Sequence, residues 1–567
     1  MKFFLRFLFV FFTVAAIGQK KYPQDVFRAP LDIPIILAGT FGELRSDHFH
    51  SGVDIKTQQR EGLVVKTIGD GYVSRIKISH WGFGKALYVT HPNGYTSVYA
   101  HLQKFSPEIE AYIKKKQYAK KTYTIQTYPE KGALRLKKGD VIAYSGNTGG
   151  SSGPHLHFEI RKTGNSNPIN PLFFGINVED NKRPVVKSMF VYPLDNVAQV
   201  NQSNKPLQLN LRESSEGTFV AERIYAHGKI GLGVNTIDRQ DLSYNNNGVY
   251  KVETLVNGIP YFNYDFETFS FRETRLINTL IDYARYKIHK ERIQRLFKTP
   301  ANALSIYNKA IDNGIINVKD SASYNIKVKV KDFEDNTTTI YIPVTGKKQA
   351  ILVSDTLQKT PYRIKANERN IFKDSTVTVN FAKDTFYDDF YLNFKAENDS
   401  VVIHEPVKAV HKNFSVLFDV TTVPKEERKQ LFIASLSKSG VPIYHGTVKE
   451  GNTFRTRSKT LGTYFLTKDT VAPTVIPQNF KDGQWLTNFK FLKVKIGDDV
   501  SGIKSYSGTI DDQWVLFEYE PKKSMLSFNF DDITLKTTKK AKHNLKITVT
   551  DNVGNNTTFE STFFRKK

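Results

Sequence analysis

The sequence predicts a mainly β protein with several domains, and three observations support this prediction. The chain of 567 residues is long enough for three or four domains, at roughly 100–200 residues each. Hydrophobic residues make up 40% of it and aromatic residues 13%, so each domain can bury a core and global disorder is excluded. Runs rich in Val, Ile, Tyr and Thr alternate with Gly, Asn and Asp turns, while long amphipathic helices are few.

The charge balance and the cysteine content limit the classes of function. Lys and Arg number 81 against 56 Asp and Glu, a net charge of +25, which favours anionic partners such as nucleic acid, a membrane surface or an acidic polysaccharide. The chain contains no Cys. Its absence excludes disulfide bonds, Cys-ligated zinc, thiol catalysis and a lipid-anchored N-terminal Cys.

Residues 1–18 have the three parts of a secretory signal peptide. Lys2 and Arg6 form the basic region, Phe7–Ala16 the apolar region, and Ala16-Ile17-Gly18 a small-x-small cleavage site. An uncleaved anchor is the alternative, but the apolar run is short for a membrane span. We therefore expect an exported protein of the periplasm, cell envelope or extracellular space, with no stable membrane span in the mature chain. Export argues against nucleic acid as a partner and favours the anionic polymers of the envelope.

Short β-rich runs separated by turn residues fill the first part of the mature chain, residues 19–175. Pro92-Asn93-Gly94 predicts a tight hairpin turn between two of them. These features predict an antiparallel β domain that ends near Gly175. The predicted strands are residues 64–68, 71–78, 85–91, 141–146 and 155–160.

A repeat occurs in the rest of the chain. Residues 324–340 match residues 543–559, and each copy begins with an Asp-x-x-x-Pro motif, at Asp180 and at Asp469. The first copy is longer by about 70 residues, and the most helical sequence of the chain is the best place for this insertion. The second copy resembles the last hairpin of bacterial immunoglobulin-like domains. We expect Ig-like domains at 176–345, with a helical insertion at about 272–312, and at 469–567, with a β-sandwich at 346–468. The sequence of 176–567 indicates no cluster of chemically active residues.

Seven of the thirteen histidines fall between residues 48 and 157. His50 and Asp54 are four residues apart, and His155 and His157 are two apart in a predicted strand, where both point to the same side. Zinc hydrolases use three nitrogen or oxygen ligands and leave the fourth position to water. Without Cys, His50, Asp54 and one histidine of the pair provide such a set. Surface or hydrogen-bonded structural histidines would explain either motif alone, but not easily both together.

Five motifs resemble those of the lysostaphin/LytM-type zinc metallopeptidases, the peptidoglycan DD-endopeptidases or murein hydrolases. The resemblance covers about residues 35–175, and the motifs occur in the family's order. It implies an antiparallel β fold of the duplicated hybrid motif type and a zinc cofactor. The motifs are HSGVD (50–54), GDGYV (69–73), WGFGKALYVTHPNG (81–94), YAHL (99–102) and SGNTGGSSGPHLHFEI (145–160).

Carried over by position, the resemblance implies that His50, Asp54 and His157 bind Zn²⁺ and that His101 and His155 are catalytic without binding it. A zinc-activated water would attack the scissile amide, and the two histidines would move its proton. The chain has no HExxH motif to supply a glutamate base. The resemblance also implies that three glycines shape the turn before the HLH strand: Gly146, Gly149 and Gly153.

One departure from the family is an insertion at about 104–138. Ser106 and Pro107 predict that it begins with a helix, as N-cap and first helical residue. Such a segment could narrow or regulate access to the zinc. We also expect a chain that ends near Gly175 to fold by itself.

The expected function is that of an exported zinc endopeptidase that hydrolyses peptide crosslinks of peptidoglycan. The later β domains would then attach it to the wall, with peptidoglycan and other anionic envelope polymers as partners. A non-catalytic envelope scaffold or hydrolase activator is one alternative. The other is a secreted metalloprotease that acts on Gly-rich proteins or on competitor walls.

Overall fold

The computed structural model describes residues 21–354, 358–437, 439–532 and 541–566. The predicted signal peptide, residues 1–18, lies outside these residues. Within the described ranges, no helix is both long enough and apolar enough to cross a membrane.

The first part of the chain forms two antiparallel sheets, as predicted. The larger sheet has the order β1-β2-β11-β6-β5-β4-β8, with β12 added to β11 and β9 to β4, and the smaller has the order β3-β10-β7. The strands are β1 (Leu37–Gly39), β2 (Val53–Lys56), β3 (Val64–Lys66), β4 (Gly71–Ile78), β5 (Lys85–Thr90), β6 (Tyr95–Ala100), β7 (Lys104–Phe105), β8 (Ile125–Thr127), β9 (Arg135–Leu136), β10 (Val141–Tyr144), β11 (His155–Lys162) and β12 (Pro168–Ile169).

The predicted hairpin turn lies between β5 and β6, which pair in antiparallel register. The Gly94 amide donates to the carbonyl of His91 at 3.3 Å. Gly94 has a φ of +86°, which glycine adopts without a steric penalty. The turn residues are therefore the reason that the two strands meet in this register.

The insertion at about 104–138 begins with helix α1 (Pro107–Lys120), and the predicted start is confirmed with Ser106 as the N-cap residue. The helix buries Ile109 and Ile113. After it, β8 and β9 both pair with β4. The insertion thus extends the outer edge of the large sheet.

The second β region forms one sheet assembly of thirteen strands, with the main order β15-β13-β18-β25-β24-β19-β20-β22. The strands are β13 (Val185–Pro193), β14 (Gln199–Val200), β15 (Leu207–Leu209), β16 (Leu211–Ser215), β17 (Thr218–Ala221), β18 (Ile224–Ile237), β19 (Lys251–Val256), β20 (Ile259–Asp265), β21 (Gln294–Arg295), β22 (Tyr307–Ala310), β23 (Ile316–Val318), β24 (Ser323–Lys331) and β25 (Thr337–Gly346).

The stretch expected to be a helical insertion, about 272–312, contains a 3-10 turn (Thr274–Leu276) and two short α-helices, α2 (Ile277–Leu280) and α3 (Tyr283–His289), rather than one long helix. Ile281 and Asp282 between them have extended backbone. Ile281 is completely buried, so packing against the core has overridden the local helix preference.

Two further β regions each have a separate core. The third has two five-stranded sheets and one two-stranded sheet, and the fourth has a four-stranded and a five-stranded sheet. The third region contains β26 (Arg363–Ile364), β27 (Asn370–Asp374), β28 (Val377–Phe381), β29 (Phe390–Tyr391), β30 (Phe394–Glu397), β31 (Ser400–Ile403), β32 (Phe414–Asp419), β33 (Leu431–Leu436), β34 (Pro442–His445), β35 (Val448–Glu450), β36 (Thr453–Ser458) and β37 (Gly462–Lys468). The fourth contains β38 (Thr474–Pro477), β39 (Gln484–Trp485), β40 (Phe491–Gly497), β41 (Ile503–Ile510), β42 (Gln513–Trp514), β43 (Phe517–Glu520), β44 (Met525–Asn529), β45 (Lys542–Asp551) and β46 (Asn556–Phe564).

The hydrophobic core of the first part continues into the second β region, because one cluster of buried side chains runs from Phe27 to Val344. Phe41 and Phe49 lie 5.0 and 5.3 Å from the ring of Phe269. A chain that ends near Gly175 would expose these rings to water. The expectation that it folds by itself is therefore not supported by the packing.

Candidate metal centre and active site

The pairing of three neighbouring strands assembles most of the predicted site. On β2, Asp54 lies opposite His157 of β11. On the other side of β11, His157 lies opposite Ala100, the last residue of β6, so that His101 follows directly beside it. His50 lies in the loop that enters β2. Residues from three parts of the sequence thus meet on one face of the large sheet.

Three potential ligand atoms form a compact triangle. His50 Nε2 lies 3.0 Å from Asp54 Oδ1 and 3.1 Å from His157 Nδ1, and His157 Nδ1 lies 2.9 Å from Asp54 Oδ1. All three side chains are buried. The residues predicted as ligands are therefore brought together.

In each of the two imidazoles, the nitrogen that points away from the triangle (the outer nitrogen) already has a hydrogen-bond partner. His50 Nδ1 lies 2.8 Å from the carbonyl oxygen of Thr40, which can only accept a hydrogen bond. His157 Nε2 lies 2.9 Å from a carboxylate oxygen of Glu159. Each outer nitrogen can therefore donate its proton, which leaves the inner nitrogen of each ring as a possible metal ligand. The two inner nitrogens and the Asp54 oxygen converge as three nitrogen or oxygen donors, and Zn²⁺ is an ion that this donor set fits.

Two further residues support the site. The sequence analysis did not identify either of them. Arg45 Nη2 donates to Asp54 Oδ2 at 2.8 Å. The other oxygen of this carboxylate, Oδ1, faces His50 and His157. Thr40 orients His50 through its carbonyl. Neither residue belongs to a recognisable motif, so no signal in a single sequence identifies it.

His155 and His101 lie beside the triangle. In each ring the backbone hydrogen bond is made by Nδ1 and not by Nε2. His155 Nδ1 lies 2.9 Å from the carbonyl of Gly153, and His101 Nδ1 lies 2.8 Å from that of Thr148. The two rings are 4.8 Å apart, and His155 Nε2 is 3.5 Å from Asp54 Oδ1. Burial, with the neighbouring His157 and His155, lowers the pKa of His101 to about 3. At neutral pH, His101 is therefore uncharged.

The turn before the HLH strand requires glycine at two of the three predicted positions. Gly149 has a φ of +75°, and a Cβ there would lie 2.3 Å from the backbone nitrogen of Gly84. A Cβ on Gly146 would lie 2.4 Å from the backbone nitrogen of Gln103. A Cβ on Gly153 would point into open space, and the φ of this residue is not in the left-handed region. Close backbone approach explains the first two glycines only.

An open groove of about 750 Å³ lies beside His155. Its apolar wall comes from the segment before β1, and its polar wall from Lys56, Gln58 and Gln59. The groove is large enough to take an extended peptide next to the candidate site.

The fourth β region packs against the glycine-rich turn and against β5. Lys522 donates to the carbonyl of Ser151 at 3.0 Å, within the glycine-rich turn. Lys85 of β5 is buried and pairs with Glu518 at 2.8 Å. Tyr118 of α1 contacts Trp514, with ring centroids 5.5 Å apart. The insertion therefore connects the first part of the chain to the fourth region, and none of its residues lines the groove beside His155.

Comparison with known proteins places the site within a family. Residues 48–132 and 130–171 match peptidase family M23, and residues 361–469 match a Zu5-like domain. The DD-carboxypeptidase/endopeptidase Mpg of Neisseria meningitidis serogroup B is 31% identical over 129 residues, or 23% of this chain and 23% of that protein. An uncharacterized metalloprotease of Haemophilus influenzae is 34% identical over 123 residues, or 22% of this chain and 20% of that protein.

The chain thus spans less than a quarter of the length of these curated relatives.

A mutant catalytic domain of the prophage-encoded M23 protein EnpA from Enterococcus faecalis is a similar solved structure. It has 22% identity and a TM-score of 0.18, and the match covers 26% of this chain and 91% of that one. The match to peptidase family M23 runs through the stretch that holds all five site residues, so the family comparison and the geometry of the site concern the same part of the chain.

Proposed function

We propose that this chain is an exported zinc endopeptidase that hydrolyses peptide crosslinks of peptidoglycan. The observation that carries the proposal is the triangle of His50, Asp54 and His157, with two more imidazoles beside it. The M23 match supports the reaction class, and the curated relative named as a DD-carboxypeptidase/endopeptidase supports the substrate class.

In this proposal His50 Nε2, Asp54 Oδ1 and His157 Nδ1 hold the zinc ion. When bound, zinc supplies Lewis-acid chemistry, which acidifies water and polarises a carbonyl group. Glu159 and Thr40 keep the two ligand imidazoles in the tautomers that face the ion, and Arg45 holds the aspartate.

His155 and His101 move the protons of the reaction. Each has its Nδ1 fixed by a backbone carbonyl, so each has Nε2 available to accept or donate a proton. Between them they take the proton of the attacking water and donate to the oxyanion or to the departing amine. The groove beside His155 holds the peptide in reach of these atoms.

The regions after residue 175 are proposed to place the peptidase on its substrate, with boundaries between the three β regions near residues 345 and 468. A net charge of +25 favours contact with anionic wall polymers. Holding the groove beside an insoluble substrate raises the effective concentration of scissile bonds.

The test is incubation of the mature chain, with and without zinc, on purified peptidoglycan, followed by mass spectrometry of the released fragments. Zinc-dependent release of fragments cut at a peptide crosslink is the expected result and identifies the bond. A chain that binds zinc and releases nothing would favour a scaffold or activator. Cleavage of Gly-rich proteins without cleavage of peptidoglycan would favour the secreted metalloprotease.

A further inference from the structure

Three aspartates from distant positions come together in the second β region. Asp180 precedes β13, Asp238 follows β18 and Asp332 follows β24. One carboxylate oxygen of each lies within 4.8 Å of those of the other two. Asp238 and Asp332 are buried. Burial and the two neighbouring carboxylates raise the pKa of Asp238 to about 8, so the three groups resist carrying three negative charges together without a cation.

Two buried oxygen atoms at this cluster have no hydrogen-bond donor. Asp238 is 2% exposed, and its Oδ1 has no partner; Gln240 is 5% exposed, and its Oε1 has none either. Lys182 donates to the backbone carbonyls of Gln240 and Asp241, at 3.3 and 3.2 Å. Among the described residues, no Lys or Arg forms an ion pair with the three carboxylates. A buried acceptor without a donor is costly, which points to a positive ligand.

A small cavity is present at the same place. It measures about 20 Å³ and is lined by Asp180, Asp238, Gln240 and Glu334, together with Thr40 of the peptidase domain. A space of this size holds one ion or one water molecule. The cavity, the unpartnered oxygens and the carboxylates therefore describe a site for a single small ligand.

We propose that Asp180, Asp238, Asp332 and Gln240 bind one Ca²⁺ ion. All the donors are hard oxygen atoms from carboxylates and an amide, the ligands that Ca²⁺ prefers, and the set includes no nitrogen or sulfur ligand. The site is separate from the histidine centre. It lies within residues 176–567, where the sequence alone indicates no cluster of chemically active residues.

The fourth β region contains a matched control. Asp469, Asp498 and Asp551 occupy the corresponding positions of the repeat and also converge within 4.8 Å. There, backbone amides donate to each carboxylate: Ser501 to Asp469 at 3.0 Å, Gly502 to Asp498 at 2.6 Å, and Asn555 to Asp551 at 2.9 Å. These donors already satisfy the three carboxylates without an ion.

In the first copy, backbone amides also donate to Asp180 and Asp332, but one oxygen atom of Asp238 lacks a hydrogen-bond partner. The amide of Lys182 donates to Asp180 at 3.1 Å, and that of Asn336 donates to Asp332 at 2.8 Å. Asp238 Oδ1 has no donor. Because this difference separates the two copies, the proposal is restricted to the first.

The calcium site connects the second β region to the metal centre. Thr40, which lines the cavity, exchanges two hydrogen bonds of 3.0 Å with the backbone of Gly248 through its hydroxyl group. Its carbonyl accepts from His50. An ion between Asp180 and Asp238 therefore stiffens the contact that orients one of the proposed zinc ligands.

The test measures Ca²⁺ binding to the full mature chain, freed of metals and reloaded with one equivalent of zinc. Calorimetric titration should show one Ca²⁺ per chain, with a dissociation constant on the order of 10⁻⁴ M or tighter. Asp238→Asn and Gln240→Leu should each weaken binding at least tenfold, whereas Asp498→Asn should not change it. Tb³⁺ in place of Ca²⁺ should show luminescence sensitised by Tyr250, which lines the cavity.

Thermal unfolding gives a second measurement, which also shows whether each variant is folded. Without Ca²⁺, Asp238→Asn should unfold at the same or a higher temperature than the parent chain, because the substitution removes a repelling charge. With Ca²⁺, the parent chain and Asp498→Asn should gain stability, whereas Asp238→Asn should not. Absence of binding by the parent chain, unchanged binding in Asp238→Asn, or loss of binding in Asp498→Asn would each overturn the proposal.

Discussion

His157 Nε2 lies 2.9 Å from Glu159 Oε1, and the Glu159 side chain has no exposed surface. The same carboxylate accepts from Ser51 Oγ at 2.6 Å and pairs with Arg161. Two other residues thus hold Glu159 in place. Glu159 in turn fixes the imidazole so that Nδ1 faces Asp54.

The first prediction concerns this support. Glu159→Gln keeps the shape of the side chain but weakens its hold on the imidazole, so the affinity for zinc should fall about 10- to 100-fold. Competition with a chromophoric chelator measures this affinity. Glu61→Gln, at an exposed carboxylate, is the control and should bind zinc normally. Equal affinities in both variants would show that Glu159 does not position His157.

The second prediction concerns the ligands. His157→Ala removes one of three atoms that meet within 3.1 Å, so both zinc content and hydrolysis should be lost. Metal analysis by mass spectrometry checks the first and peptidoglycan digestion the second. A variant that still holds one zinc ion tightly would contradict the assigned ligand set.

The third prediction separates proton transfer from metal binding. His155→Ala and His101→Ala should retain zinc and lose hydrolysis by about 10²-fold or more, the usual contribution of a positioned acid–base group. His48→Ala provides the control, because His48 is exposed and pairs only with Asp47 in the same loop. Near-normal rates in either of the first two variants would remove that histidine from the mechanism.

The fourth prediction concerns the shared core. A chain that ends after Gly346 keeps the contacts of Phe41 and Phe49 with Phe269 and should unfold in a cooperative thermal transition. A chain that ends after Gly175 should be aggregated or sensitive to protease, because it exposes these rings. Circular dichroism and limited proteolysis compare the two. A stable shorter chain would show that the first part folds independently.

The fifth prediction concerns the contact between the first part of the chain and the fourth β region. Glu518→Ala leaves the buried ammonium of Lys85 without its partner, so this contact should weaken by about 1–3 kcal/mol. Lys85→Met combined with Glu518→Leu should restore it, since two apolar groups replace the pair. Hydrogen exchange of β5 and β43 reports the contact. If both variants exchange like the parent chain, the ion pair does not hold the two parts together.

Local sequence patterns predict several elements well. The strand predicted at residues 71–78 is β4, because β-branched and aromatic residues there are followed by turn residues. Alternation along a strand is enough to predict that His155 and His157 lie on the same side. The N-cap at Ser106 follows in the same way, from residue types next to each other in the chain.

The sequence by itself therefore determined those features that depend on neighbouring residues: strand and turn positions, the histidine motifs and the family resemblance. Only the tertiary structure decided which distant groups meet. Strand pairing brings Arg45 to Asp54 and collects Asp180, Asp238 and Asp332, and burial in a shared core breaks the predicted helix at Ile281. The physical reason is that these contacts depend on packing and sheet register, which many residues far apart in the chain set together.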